Sequence, residues 1–228
     1  KFKFNKSKIL ERGKEIVGTI KKSIWVEMRE GIVYLVRHRE IRFIIVMLFV
    51  LLAAAGSIYV TIIVFIQKAF ASVTKDLGVL AVCLGFGLFS GAVLYGKWGK
   101  NFTWYKTIFF CLLSGGVLLI IFAQFVAHNP HILTAMFLSF LLGLVVGPIF
   151  IAANTMVHLV SDDAMRGKVF SALEVVIHLA FLLAMLLSSW VSGFVPPEGN
   201  LTSVGLVIAV IGVFGFWQIK KGTLALMK

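Results

Sequence analysis

The sequence is poor in acidic residues and in cysteine, and it has no long polar stretch between its apolar runs. Asp and Glu number 10 against 22 Lys and Arg, so the formal net charge is +12. Only two cysteines occur, Cys83 and Cys111, both inside apolar runs. They read as buried small apolar residues, which excludes a disulfide framework as the basis of the fold. The segments between runs are short, at 67–76, 96–103, 128–131, 160–168 and 195–200. None is large enough for a soluble catalytic domain, so any chemistry sits within the runs or at their mouths. No low-complexity tract is present. The first 23 residues are rich in Lys and hold no apolar run, which is not the pattern of a secretory signal peptide. The chain starts on Lys1 and not on Met. With the basic stretch that follows, this gives the expectation of a piece of a longer protein, cut at a basic cytoplasmic linker.

What the sequence has in abundance is apolar surface. Its 228 residues are 60% hydrophobic, with a mean hydropathy of +0.99. No soluble domain hides that much from water, so lipid is part of the solvent. Six runs, at 42–66, 77–95, 104–127, 132–159, 169–194 and 201–219, each hold the ~20 residues that a helix needs to cross ~30 Å of hydrocarbon. Threaded alternately from the N-terminal segment, one side collects 20 Lys and Arg, and the other holds only Lys68 and Lys75. That asymmetry assigns the first side, with both termini, to the cytoplasm. It also argues against nucleic acid as a partner. The positive charge sits in the first 42 residues and the loops of one side, where orientation and anionic lipid account for it. The expected fold class is an all-α membrane protein with six transmembrane helices.

The chain divides into a basic cytoplasmic linker at 1–22, an amphipathic interfacial helix at 23–41, a six-helix transmembrane domain at 42–219 and a cytoplasmic tail at 220–228. In the second segment Ile24, Met28, Ile32, Leu35 and Val36 recur at helical spacing, and Glu27, Arg29, Glu30, Arg37 and Arg39 fill the other faces. This is the pattern of a helix lying on a membrane surface, or of a helical lead-in to the first span. Gly87 and Gly91 share a face in the second run, and Ser139, Gly143 and Gly147 share one in the fourth. Small residues at that spacing let helix backbones approach closely. Pro148 follows directly, removes one backbone hydrogen bond and predicts a kink. Two Asn-x-Thr sequons, at Asn101 and Asn200, read as chance occurrences.

Ionisable groups inside spans are costly and therefore informative. Glu174 and His178 share a face of the fifth run, ~8 Å and ~14 Å from Val169 at the rise of a helix. A carboxylate beside an imidazole can relay a proton. The same pair also reads as a hydrogen bond that locks helix packing. Asn154 and His158 share a face near the cytoplasmic end of the fourth run, where they either line the same inner cavity or cap the interface. Gln124 is expected to bond to another helix. A metal site built from His158, Glu174 and His178 is not demanded by the spacing, so no metal or cofactor is expected. Between the fourth and fifth runs, Asp162 or Asp163 is expected to cap the incoming helix. Arg166 and Lys168 are expected to anchor the inner interface, with an ion pair among these charges as a further option.

An intramembrane serine protease would show Gly-x-Ser-Gly, but neither Ser90-Gly91 nor Ser114-Gly115 has Gly two places before the Ser. No His-Glu-x-x-His zinc pattern occurs either. The chain is accordingly not read as an enzyme. No run carries the full-length polar stripe of a channel. An intramembrane enzyme and a non-transporting scaffold remain the alternatives to a transporter.

Three pieces of the sequence, Glu30–Arg42, Gly96–Lys100 and Arg166–Phe170, together resemble the major facilitator superfamily, in its bacterial drug and macrolide efflux branch. Residues Glu30-Gly-Ile-Val-Tyr-Leu-Val-Arg-His-Arg-Glu-Ile-Arg42 resemble the lead-in to the seventh helix of that branch. Gly96-Lys97-Trp98-Gly99-Lys100 resembles a degenerate form of the superfamily loop motif Gly-x-x-x-Asp-Arg-x-Gly-Arg-Arg, without its Asp-Arg pair. Arg166-Gly-Lys-Val-Phe170 resembles the Arg-Gly-Arg-Val-Phe start of the eleventh helix. The resemblance covers nearly the whole chain, as the C-terminal half plus the central linker. It implies half of a twelve-helix secondary transporter, with each half built from two inverted three-helix units. It also implies a small-molecule substrate held between this half and an N-terminal six-helix partner half, with alternating access driven by a proton gradient. Phe- and Leu-rich spans suggest an amphipathic or lipophilic solute, exported from a bacterial cytoplasmic membrane.

Overall fold

The computed structural model describes residues 26, 29–31, 33, 37, 39–70, 73–99, 103–160 and 163–220. Its elements are α1 (Arg39–Phe70), α2 (Val73–Trp98), α3 (Trp104–His128), α4 (Ile132–Val160), α5 (Asp163–Val191) and α6 (Pro197–Lys220). Each contains 22 to 29 consecutive residues that are long and apolar enough to cross a membrane, and no strand occurs among the described residues. The all-α class with six spans follows from the solvent: without water, each backbone N–H and C=O needs a partner within its own segment.

Several boundaries differ from those read off hydropathy, most of all the start of α5, which lies at Asp163 and not at 169. α2 continues to Trp98, so Gly96 and Lys97 belong to a helix and not to a loop. α5 stops at Val191, beyond which the Gly193 and Phe194 N–H groups bond only three residues back, to the Trp190 and Val191 carbonyls at 3.2 and 2.9 Å. α6 opens on Pro197, whose missing N–H costs nothing in a first turn.

Residues 1–22, the tail beyond Lys220, and Ile24, Met28, Ile32, Leu35 and Val36 lie outside the described residues. The described part of the lead-in touches the helices. Gly31 is buried, and a Cβ added there would meet the Lys168 carbonyl oxygen at 2.5 Å and the Ala172 Cβ at 3.0 Å. Beside it the Lys168 Nζ donates to Glu30 Oε2 at 2.7 Å. The start of α5 thus carries a piece of the lead-in.

Short connections make successive helices cross in opposite directions. The principal contacts are α2 with α4, α3 with α6 and α1 with α5, followed by α3 with α4 and α1 with α6. Exchanging the triplet α1–α3 for α4–α6 maps this set onto itself. The α1–α5 contact becomes α4–α2, the α3–α4 contact becomes α6–α1, and the α3–α6 contact becomes its own image. Since α1 and α4 run in opposite directions, the two triplets are related by inversion. Sequence comparison of the two sets does not reveal this; their contacts do.

The interior is layered. Ile44, Leu48, Ala153, Val169 and Ala172 close the end at which α1 begins. Leu51, Ile108, Leu112, Ile149 and Ile208 fill the middle. Phe65, Phe122, Val126, Ala135 and Leu201 close the opposite end. Arg42, Lys97, Lys106 and Lys168 all lie at the first end, called here the basic end; Lys68 and Lys75 lie at the far end.

Candidate functional site

Four exposed polar side chains on α4 and α5 fall on one strip. On α5, Phe170, Glu174 and His178 succeed one another at helical spacing, and the His178 Nδ1 lies 3.2 Å from Glu174 Oε2. That nitrogen also lies 2.8 Å from the Glu174 carbonyl oxygen. The side chains of His178 and Glu174 are 68% and 59% exposed on the surface of the six-helix unit, so the pair does not lock α5 to a neighbour. On α4, Asn154 and His158 are likewise exposed. The His158 ring lies 4.8 Å from the Phe170 ring, centroid to centroid, and joins the two faces. The strip therefore brings together Asn154, His158, Glu174 and His178.

Asn154 is not a cap. It lies inside α4, and its Nδ2 donates to the Phe150 carbonyl one turn back at 2.9 Å. Thr155 does the same to the Ile151 carbonyl at 2.7 Å. Such back-bonding satisfies a polar side chain without a partner helix. Among the described residues no group of three His, Cys, Asp or Glu side chains converges as metal ligands.

A second polar cluster lies toward the far end and has a different character. Asn200 Nδ2 donates to Thr61 Oγ1 at 2.8 Å and to Ser188 Oγ at 3.0 Å, with Ser192 Oγ at 3.4 Å. Ser188 Oγ and Thr61 Oγ1 each donate to the Ser57 carbonyl at 3.0 Å. Thr61, Ser188 and Asn200 are only 2%, 4% and 6% exposed. The cluster joins α1, α5 and α6 through neutral groups, so it holds helices together and carries no proton. A pocket of about 300 Å³ opens beside it, walled by Thr61, Lys68, Ser192, Phe194 and Pro196 among others.

Residues 44–223 match the family model described as Major Facilitator Superfamily. The chain belongs to the Major Facilitator Superfamily. It is thus a multi-pass membrane transporter, set in a lipid bilayer. Neither the curated proteins nor the solved structures compared with it contain a significant match.

Within this superfamily member, the degenerate loop motif is mostly helical. Lys97 lies over the Trp98 ring at 5.7 Å, Gly99 packs on the Tyr95 ring, and Gly96 has open space where a side chain would be. Lys100 and Asp162 lie outside the described residues. α5 begins at Asp163, and Lys168 pairs with Glu30. Gln124 reaches across to α6 as expected, its Nε2 donating to Thr202 Oγ1 at 2.9 Å.

The Thr61–Ser188–Asn200 cluster escaped sequence reading. Its signal was two small polar pairs at helical spacing inside spans, Ser57 with Thr61 and Ser188 with Ser192. Asn200, set aside as a sequon, is the donor that ties them together.

Proposed function

We propose that this chain is the C-terminal six-helix half of a proton-coupled exporter of small amphipathic or lipophilic solutes. Its partner is an N-terminal six-helix half, and the strip on α4 and α5 faces that partner across a polar cavity. In this reading Glu174 takes and releases the coupling proton, His178 relays it, and Asn154 with His158 lines the inner part of the path. The basic end lies in the cytoplasm of a bacterial cell, consistent with the charge asymmetry.

The observation that carries this reading is the exposure of Glu174 and His178 within a span. An acidic group facing acyl chains costs on the order of 3 kcal/mol on insertion scales. A face that carries one beside an imidazole therefore meets water or protein, not lipid. Two exposed groups at hydrogen-bond distance can exchange a proton when the cavity opens to either side.

The test is proton-driven efflux of lipophilic dyes from inverted vesicles holding the full-length parent, wild type against Glu174→Gln. The expected result is wild-type flux and loss of at least about tenfold in the variant at equal expression. Equal flux in both would remove Glu174 from coupling. Absence of flux with every dye would overturn the assigned solute class.

A further inference from the structure

The pocket at the far end is separate from the α4–α5 strip, and it has a composition of its own. Its wall is apolar in part, with Val64, Phe194, Val195, Pro196 and Pro197, and polar in part, with Lys68, Thr61 and Ser192. Its volume of about 300 Å³ is at the small end of the range for ligand sites.

The polar groups of the wall are not equivalent. Thr61 Oγ1 accepts from Asn200 and donates to the Ser57 carbonyl, and Ser192 Oγ donates to the Ser188 carbonyl at 2.7 Å. Both hydroxyl hydrogens are engaged. The turn between α5 and α6 offers no anion nest. The N–H groups of Gly193, Phe194 and Val195 bond back to the Trp190 and Val191 carbonyls. Lys68 is different: among the described residues it has no hydrogen-bond or ion-pair partner. It is also one of only two Lys or Arg among the 22 that the threading puts at this end, where positive charge is otherwise avoided. At the rim, the pocket-lining Phe194 stacks edge-on with Trp190, both largely exposed, as aromatics do at a membrane–water boundary.

We propose that this pocket binds an amphipathic anion, with its carboxylate or phosphate on the Lys68 ammonium and a short apolar body against Val64, Phe194 and Pro196. The rigid hydroxyl floor fixes the depth of the site, and Lys68 supplies its only unengaged donor among the described polar groups of the wall. Such an anion has two sources, the headgroup of an acidic membrane lipid or a free amphipathic acid. The proposal does not depend on proton coupling at Glu174.

The test uses the purified full chain in nanodiscs of neutral lipid, with octanoate as probe and octanol as uncharged control. Binding is read by ligand-observed NMR, which reports occupancy whether or not transport occurs. Octanoate should bind the wild type, and Lys68→Gln should weaken it by about fivefold or more. Lys75→Gln should leave binding unchanged, and Lys68→Arg should restore most of it. Phe194→Ala should weaken it with Lys68 intact. Displacement of octanoate by short-chain phosphatidylglycerol would assign the site to lipid headgroups; its failure to compete would assign the site to free acids. Equal binding by wild type and Lys68→Gln, or equal binding of octanol and octanoate, would overturn the proposal.

Discussion

The α2–α4 and α1–α5 interfaces occupy equivalent places in the two inverted triplets, yet different chemistry closes them. Between α2 and α4, four glycines meet backbone. A Cβ on Gly87 or Gly91 would run into the carbonyl oxygens of Phe140 or Leu144, and one on Gly143 or Gly147 into those of Leu84 or Leu88. The hydrogen that stands in for each Cβ points at that oxygen, a reciprocal ladder of Cα–H···O contacts worth ~0.5–1 kcal/mol each. Between α1 and α5 a single such glycine, Gly56 over the Phe181 carbonyl, is followed by the Thr61–Ser188 hydroxyl contact and the amide of Asn200 from α6. Lipid tails give helices no hydrophobic reason to associate, so contact must come from close backbones or from hydrogen bonds. The first solution tolerates no added atom. The second tolerates bulk at its rim but not the loss of a polar partner.

The comparison breaks most visibly at Gly143. A valine there would place its Cβ against the Leu84 carbonyl, the Leu88 nitrogen at 2.7 Å and the Gly87 carbonyl carbon at 3.0 Å. These are backbone atoms, with no rotamer to give way, so the helices must separate. Overpacking of this kind costs about 3 kcal/mol or more. Gly143→Val should lower the melting temperature of the detergent-purified protein sharply and reduce its monodisperse fraction. Gly85→Val, on the same helix pair but with nothing within 4 Å of the added atom, should melt with the wild type. Similar melting of both variants would show that the two helices are not held at backbone contact.

At the equivalent interface the expected effect is smaller and of another kind. Asn200→Leu removes the donor to Thr61 and Ser188 without blocking the approach of α1 to α5. Interhelical hydrogen bonds in membranes contribute roughly 0.6 to 1.7 kcal/mol, so a loss of about 1 kcal/mol is expected in thermal unfolding. The three groups act as one network. Adding Thr61→Val to Asn200→Leu should therefore cost less than the two single losses together. Strict additivity would mean that the hydroxyl and the amide do not share their bonds in the membrane.

What was legible in the sequence divides along the same line. Spans are legible because ~20 apolar residues in a row have few other uses. The α2–α4 interface is legible because Gly87, Gly91, Gly143 and Gly147 repeat at helical spacing within single runs. The α4–α5 strip was half legible. Glu174 and His178 stand out as ionisable groups in a span, but the His158–Phe170 ring contact that joins them to α4 is a matter of tertiary placement. The far-end cluster was illegible because its members come from three segments and none is charged. Ser, Thr and Asn in spans are common enough that only their meeting point distinguishes them. The inverted relation of the triplets lies in which helices touch, and no residue pattern states it.

The smallest expected effect concerns Pro148, and it sharpens the account of the glycine interface. In an exposed helix interior alanine is favoured over proline by about 3 kcal/mol, partly because proline leaves a carbonyl one turn back without its N–H. Here that carbonyl belongs to Leu144, the one that a Cβ on Gly91 would strike. The oxygen freed by Pro148 thus already faces the Cα–H of Gly91 on the neighbouring helix. If that contact satisfies it, Pro148→Ala restores a bond that is only partly missing, and the gain in thermal stability should stay within about 1 kcal/mol. A gain near the full value would mean that the Leu144 oxygen is unsatisfied in the wild type. The α2–α4 contact would then be steric fit alone, and its contrast with the hydrogen-bonded α1–α5 contact would be complete.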